Sequence, residues 1–144
     1  MKKLTIFLLL LACSLTAGAQ NRFSANFKLY DSKSGDQAVI SGVVYVQDKC
    51  YRAESSDGFV MGDGTTRWIF YAKSEELVIQ DDDPSIFNKL TLVKAGSGTA
   101  TVKYADYTAS LTDMKLLKEE LPSVFFNSDV RMKDKNVIVT DLRD

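Results

Sequence analysis

From Phe23 onward the chain alternates: Phe23, Ala25, Phe27 and Leu29 are apolar, and Ser24, Asn26 and Lys28 between them are polar. A period of two marks a strand with one face in a core and one in water. Ser34-Gly35-Asp36 is the next turn, and residues 38–47 and 50–55 read as strands. Ser56-Asp57-Gly58 turns the chain into a short strand at 59–61. Gly62-Asp63-Gly64 then closes that strand as a tight hairpin. Residues 65–72 and 77–80 form the next pair, joined at Ser74-Glu75. Asp81-Asp82-Asp83-Pro84 interrupts the series. Asp83 fits a helix N-cap and Pro84 the first helical position, so 85–90 are expected to form one or two helical turns. Ala95-Gly96-Ser97-Gly98 reads as a flexible loop, and 99–104 with 107–116 as a hairpin about Ala105-Asp106. Residues 112–121 fit two periods. Met114, Leu117 and Leu121 have helical spacing, while Tyr107, Ala109 and Leu111 bring strand alternation into the segment. Pro122 ends either, and 124–132 and 137–142 are the last two strands expected.

The central strands break the one-wet-face rule. Between residues 38 and 46, Ile40, Val44 and Val46 lie on one side, and Val39, Val43 and Tyr45 on the other. Along 65–72, Trp68 and Phe70 share one face, and Ile69 and Tyr71 the opposite one. An antiparallel sheet covering a core on one side alone alternates apolar with polar. Both faces of these strands therefore need a cover, and the chain offers little helix to supply it. A strongly curved sheet wrapping an apolar cavity is one solution. A closed barrel or sandwich with partly exposed aromatics is the other.

The first nineteen residues read as a secretory signal peptide. Lys2 and Lys3 form the basic end, 4–12 an apolar run, and Ala17-Gly18-Ala19 a small-residue cleavage site before Gln20. The apolar run is shorter than the ~20 residues a membrane-spanning helix needs. A rival route is also written there: Leu10-Leu11-Ala12-Cys13 resembles a lipobox, which would leave the protein anchored through a lipid on Cys13. With cleavage before Gln20, residues 20–144 form a single domain, and Cys50 is its sole thiol. No intramolecular disulfide is then expected, although an exported protein would allow one.

Composition narrows the chemistry. The 144 residues contain no His, which excludes a Ser-His-Asp or Cys-His pair and His-ligated zinc. A net charge of −1 carries no basic excess for nucleic acid. Asp81-Asp82-Asp83 suggests a hard cation, but Ile86 and Leu92 stand where an EF-hand places Gly and Glu, so a solvated loop is expected. Glu119-Glu120 is a weak candidate acid/base pair in a chain with 19 acidic residues. Gly96-Ser97-Gly98 lacks the Lys and the strand–helix context of a phosphate loop. Arg52 and Arg67 are expected to face solvent or pair with nearby acids. Trp68 suits a core position or a ligand contact. Neither enzyme activity, nor a cofactor, nor a metal is expected.

Four segments in order carry a resemblance. They are Gly42-Val43-Val44-Tyr45-Val46-Gln47, Tyr51-Arg52-Ala53-Glu54, Gly62-Asp63-Gly64-Thr65-Thr66-Arg67-Trp68-Ile69-Phe70-Tyr71 and Glu75-Glu76-Leu77-Val78-Ile79. Together they resemble the outer-membrane lipoprotein carrier (LolA-like) family. The closing Val137-Ile138-Val139-Thr140-Asp141-Leu142-Arg143 is similar to the last strand of its short members. The match covers 23–82, extends loosely over 124–143, and follows 84–123 only in outline. The chain resembles a short member lacking the N-terminal lid helix, since only Gln20-Asn21-Arg22 precede Phe23. Where the family's carriers place an Arg after the second strand, this chain has Gln47-Asp48-Lys49.

The resemblance implies a mainly β fold, a strongly curved antiparallel sheet left unclosed as a half-barrel, with one or two short helices. It implies a periplasmic protein that binds an apolar moiety, the acyl chain of a lipoprotein, without catalysis. Partners would be that lipid or lipoprotein and the membrane components of lipoprotein sorting. The candidate lining of the apolar cup is Tyr45, Met61, Trp68, Phe70 and Leu77. The alternative is a secreted β-sheet module for protein interaction or structure, with a dry core.

Overall fold

The alternation at Phe23–Leu29 becomes the strand on which the sheet is organised. The computed structural model describes residues 22–33, 35–82, 91–96, 98–104, 106–127 and 136–144. Ten strands form one sheet: β1 (Arg22–Asp31), β2 (Ile40–Gln47), β3 (Cys50–Ser55), β4 (Gly58–Gly62), β5 (Thr66–Tyr71), β6 (Glu76–Asp81), β7 (Thr91–Gly96), β8 (Thr99–Tyr104), β9 (Tyr107–Leu116) and β10 (Ile138–Asp141). Their order across the sheet is β10-β6-β5-β4-β3-β2-β1-β9-β8-β7. Every neighbouring pair is antiparallel except β10, which joins β6 in parallel. The fold is mainly β, a single open sheet that does not close into a barrel.

Register divides the side chains into two sets. Phe27 faces Gly42 on β2 and Leu111 on β9, Val44 faces Ala53, and Val60 faces Ile69. Their side chains share one face, called A here. The main core lies there, running from Ala100 and Val102 on β8 through Leu29, Val44 and Ala53 to Ile69 on β5. The opposite face, B, is wet on β1, where Asn26 and Lys28 are exposed, as the alternation requires.

Face A is buried from β8 to β5, and a strongly curved sheet shelters the face on its inner side. Chain length demands the same curl. β6 and β7 stand eight places apart in the order, about 38 Å in a flat sheet at the usual strand spacing. The ten residue steps from Asp81, where β6 ends, to Thr91, where β7 begins, reach at most about 36 Å when fully extended. The local devices are visible. At Asp113, with φ 53°, the β1–β9 register slips by one residue, a bulge that bends and twists its strand. Gly42 and Gly62 sit on face A where no Cβ fits: one at Gly42 would strike the Glu54 carbonyl, and one at Gly62 the Tyr51 ring. Glycine at such points permits close backbone approach in a tightly bent sheet.

The structure corrects some local expectations and decides between the alternatives at another. Ala95 and Gly96 belong to β7 rather than to a loop, and the β7–β8 connection is a tight turn at Gly98, φ 69°. The ambiguous 112–121 stretch is strand as far as Leu116 and carries no helix. Within the expected strand 124–132, Ser123–Phe126 form a 3-10 turn instead, which is the one helical element among the described residues. Pro122 precedes it, and proline's fixed φ and missing N–H favour the start of a helical turn over a strand interior. The rest of that expected strand, most of it within 128–135, and the expected Asp83 cap with helical turns at 85–90 lie outside the described residues.

Candidate functional site

Face B carries a second apolar cluster, separate from the main core. On β4, β5 and β6 the register sets Met61 opposite Trp68, Phe59 opposite Phe70, Trp68 opposite Ile79 and Phe70 opposite Leu77. Cross-strand partners project to the same side, so a patch of aromatic rings and branched aliphatics forms there. Phe59 and Phe70 stack at 5.2 Å between centroids, with planes 25° apart. Phe59, Met61, Trp68, Leu77 and Ile79 are buried, and half-buried Phe70 and Val137 pack against them. Trp68 is only 2% exposed. Its indole Nε1 is buried and has no hydrogen-bond partner among the described residues.

All five sequence candidates therefore lie on face B. Met61, Trp68, Phe70 and Leu77 meet in this cluster. Tyr45, on β2, stands apart from them. Its ring meets Phe125 edge-on at 5.0 Å and 85°. That contact belongs to the chain leaving β9, which is fastened to face B at two points. The Gln47 amide donates to the Leu121 carbonyl at 3.0 Å and accepts from the Leu121 N–H at 2.7 Å. Arg52 donates from Nη1 to the Phe125 carbonyl at 3.1 Å, and its guanidinium lies 4.4 Å over the Phe125 ring. Glu54 holds the other side of Arg52 through Nε at 2.6 Å and an ion pair to Nη2. Phe126, next in the 3-10 turn, is fully buried. Alternation alone misses Gln47 and Arg52 as fasteners, because their partners lie more than 70 residues away along the chain.

A polar cluster closes one end of face A. The Tyr51 hydroxyl donates to Asp82 Oδ1 at 2.8 Å. Arg67, expected to face solvent or pair with a nearby acid, is buried, because its place on β5 points it to the same face as Ile69, where its charge acts on Asp82. Gln80, opposite it on β6 and with its carbonyl turned inward, accepts from Arg67 Nη2 at 3.3 Å and Nε at 3.2 Å. Burial pushes the Tyr51 phenol up, and the charge and hydrogen bond of Asp82 push it further. Burial likewise raises the Cys50 thiol, with Asp63, Asp48 and Asp82 adding to it, so the thiolate is disfavoured. Asp82, part of the acidic run expected to be a solvated loop, is drawn into this cluster. Burial raises its carboxyl above 3.8, although Tyr51, Arg67 and the Gly64 backbone pull the other way. Among the described residues no group of three or more Asp, Glu or Cys is placed to hold a metal.

Asp82 makes stability depend on pH. Its pKa is higher in the folded chain than in the unfolded one, so the folded state holds the proton more tightly. Stability is then greatest below 3.8 and falls as pH rises through the folded value. Asp82→Asn keeps an acceptor for Tyr51 and removes the titration. Urea midpoints between about pH 3.5 and 7 should show the variant gaining on the parent as pH rises. A difference that stays flat or reverses would contradict this account of the cluster.

A cleft of about 230 Å³ opens among the loops at the β1–β2 and β8–β9 ends, lined by Tyr30, Asp31, Lys103, Asp106 and Thr108 among others. It is polar, and none of its lining residues belongs to the face B cluster.

No protein-family model and no curated protein sequence matches the chain. In structure it is similar to an uncharacterized conserved protein from Thermus thermophilus. The TM-score is 0.53 at 11% identity, covering 98% of this chain and 99% of that one. The likeness concerns the fold alone.

Proposed function

We propose that this protein is exported to the periplasm and binds an apolar moiety on face B, beside Trp68, without catalysing a reaction. The observation that carries the reading is the gathering of Met61, Trp68, Phe70 and Leu77 into one cluster outside the main core. The cluster lies on the far side of the sheet from the main core and is itself buried, so an apolar ligand would enter among these side chains rather than lie on an open surface. Its chemistry, aromatic faces with aliphatic and thioether side chains, suits an alkyl chain. The resemblance to the lipoprotein carrier family suggests which one: a lipoprotein acyl chain, with sorting components of the membrane as partners. Burying ten methylenes favours binding by at most ~8 kcal/mol. Association costs offset much of that, which places the affinity on the order of micromolar.

Trp68 is the chain's single tryptophan, so its fluorescence reports this cluster alone. Titrating the purified protein with an acyl probe that quenches indole emission should give a saturable curve. Absence of saturation from a folded sample would count against the reading. The second reading, an interaction or structural module with a dry core, is favoured by the packing of face A, where Leu29, Val44, Val46, Val60 and Leu111 are fully buried. A flat titration would support that one.

A further inference from the structure

The face B cluster holds one polar atom with no bonding partner among the described residues. Trp68 Nε1 is a donor only, and it is buried without an acceptor. The hydrophobic side chains clustered with Trp68, namely Phe59, Met61, Phe70, Leu77, Ile79 and Val137, offer it no oxygen acceptor. The backbone carbonyls of the neighbouring strands serve the sheet ladder. Buried polar groups in folded proteins almost always have a partner, and an exception calls for an explanation.

We propose that Trp68 Nε1 donates a hydrogen bond to an oxygen of the bound ligand. The site then takes an acyl group with its carbonyl or carboxylate drawn into the cluster, not an alkyl tail alone. This rests on the binding reading above and makes it narrower. Hydrocarbon contacts are tolerant of chain length and branching, whereas a site that supplies a buried donor discriminates against ligands that leave it unpaired. Trp68 is thus the specificity-determining residue. The same acceptor chemistry is found in a free fatty acid and in an acyl ester.

Three probes with one twelve-carbon tail separate the cases: dodecanoate, monododecanoylglycerol and dodecyltrimethylammonium, the last without an oxygen. The indole N–H of Trp68 gives a single resonance in a ¹⁵N-labelled sample, because the chain has one Trp. Binding of an oxygen-bearing probe should move it downfield, and affinity should exceed that of the ammonium probe by on the order of tenfold. Trp68→Phe should erase that preference while all three still bind. Of the two oxygen-bearing probes, the tighter identifies the source as free acid or ester. Equal binding of all three, a retained preference in Trp68→Phe, or an unmoved indole resonance on saturation overturns this inference and leaves the binding reading standing. Binding of none of them overturns both. Should Trp68→Phe fail to fold, the indole shift in the parent protein still decides.

Discussion

Phe27→Ala should lower the free energy of unfolding by about 3–5 kcal/mol, the usual loss for a buried aromatic. Phe27 sits in the middle of β1, on face A, between Gly42 on β2 and Leu111 on β9. It is 2% exposed, and Leu29, Val44 and Leu111 in the same core are fully buried. A rigid sheet cannot collapse around the missing ring, so a cavity adds to the lost transfer energy. Domains of this size are stable by only about 5–15 kcal/mol, so the variant should lose a large share of its stability. Lys28→Ala, one residue on and exposed on face B, should stay within about 0.5 kcal/mol. Equilibrium denaturation of both variants checks the pair. Similar midpoints would mean that face A is not the main core.

Gly42→Ala should cost about 3 kcal/mol for a single added methyl, at the upper end of overpacking effects. The new Cβ would meet the backbone carbonyl of Glu54 on β3 and come within 3.0 Å of Phe27 Cζ. A carbonyl in a ladder cannot swing aside as a side chain would, so β2 and β3 must part. Gly35→Ala is the informative comparison. Its φ of 63° strains any L residue, yet nothing lies within 4 Å of the added methyl. That strain amounts to about 1 kcal/mol. Thermal or chemical denaturation should rank Gly42→Ala well below Gly35→Ala in stability. The reverse ranking would deny the close strand approach from which the curl is built.

Much of the sheet was legible because its signals are local. The alternation at Phe23–Leu29 marks the buried and wet faces of β1 correctly, and Asp63 closes the hairpin that Gly62-Asp63-Gly64 advertises. Its carboxylate accepts from the N–H groups of Thr65 and Thr66 at 2.9 and 2.8 Å. The two-faced apolar pattern of 65–72 was also informative: Ile69 joins the main core and Trp68 the face B cluster. Period-two spacing alone puts Trp68 and Phe70 on one face, but only the register of β4, β5 and β6 adds Met61 and Leu77 to them.

What the pattern conceals is long-range. Arg67 reads as facing solvent or pairing with a nearby acid, and its burial beside Gln80 is not legible because that acceptor is fixed by cross-strand pairing and not by sequence proximity. Asp82 reads as solvated because Tyr51, 31 residues earlier, reaches it across the sheet. Val124, Phe125 and Phe126 have strand-forming side chains, yet fold as a 3-10 turn, where Arg52 and Tyr45 hold Phe125 against face B. Tertiary contact overrides β propensity there. The parallel docking of β10 on β6 is likewise invisible locally. It rests on backbone bonds such as Ile138 N–H to Glu75 O at 2.9 Å and Leu142 N–H to Ile79 O at 2.7 Å.

The central claim is that an acyl chain seats on face B and not inside the curl. Intermolecular NOEs from the methylenes of bound dodecanoate test this most directly. The account predicts contacts to the side chains of Met61, Trp68, Phe70 and Leu77. Contacts to Leu29, Val44 and Val102 instead, or no intermolecular NOE at saturating dodecanoate, would contradict it.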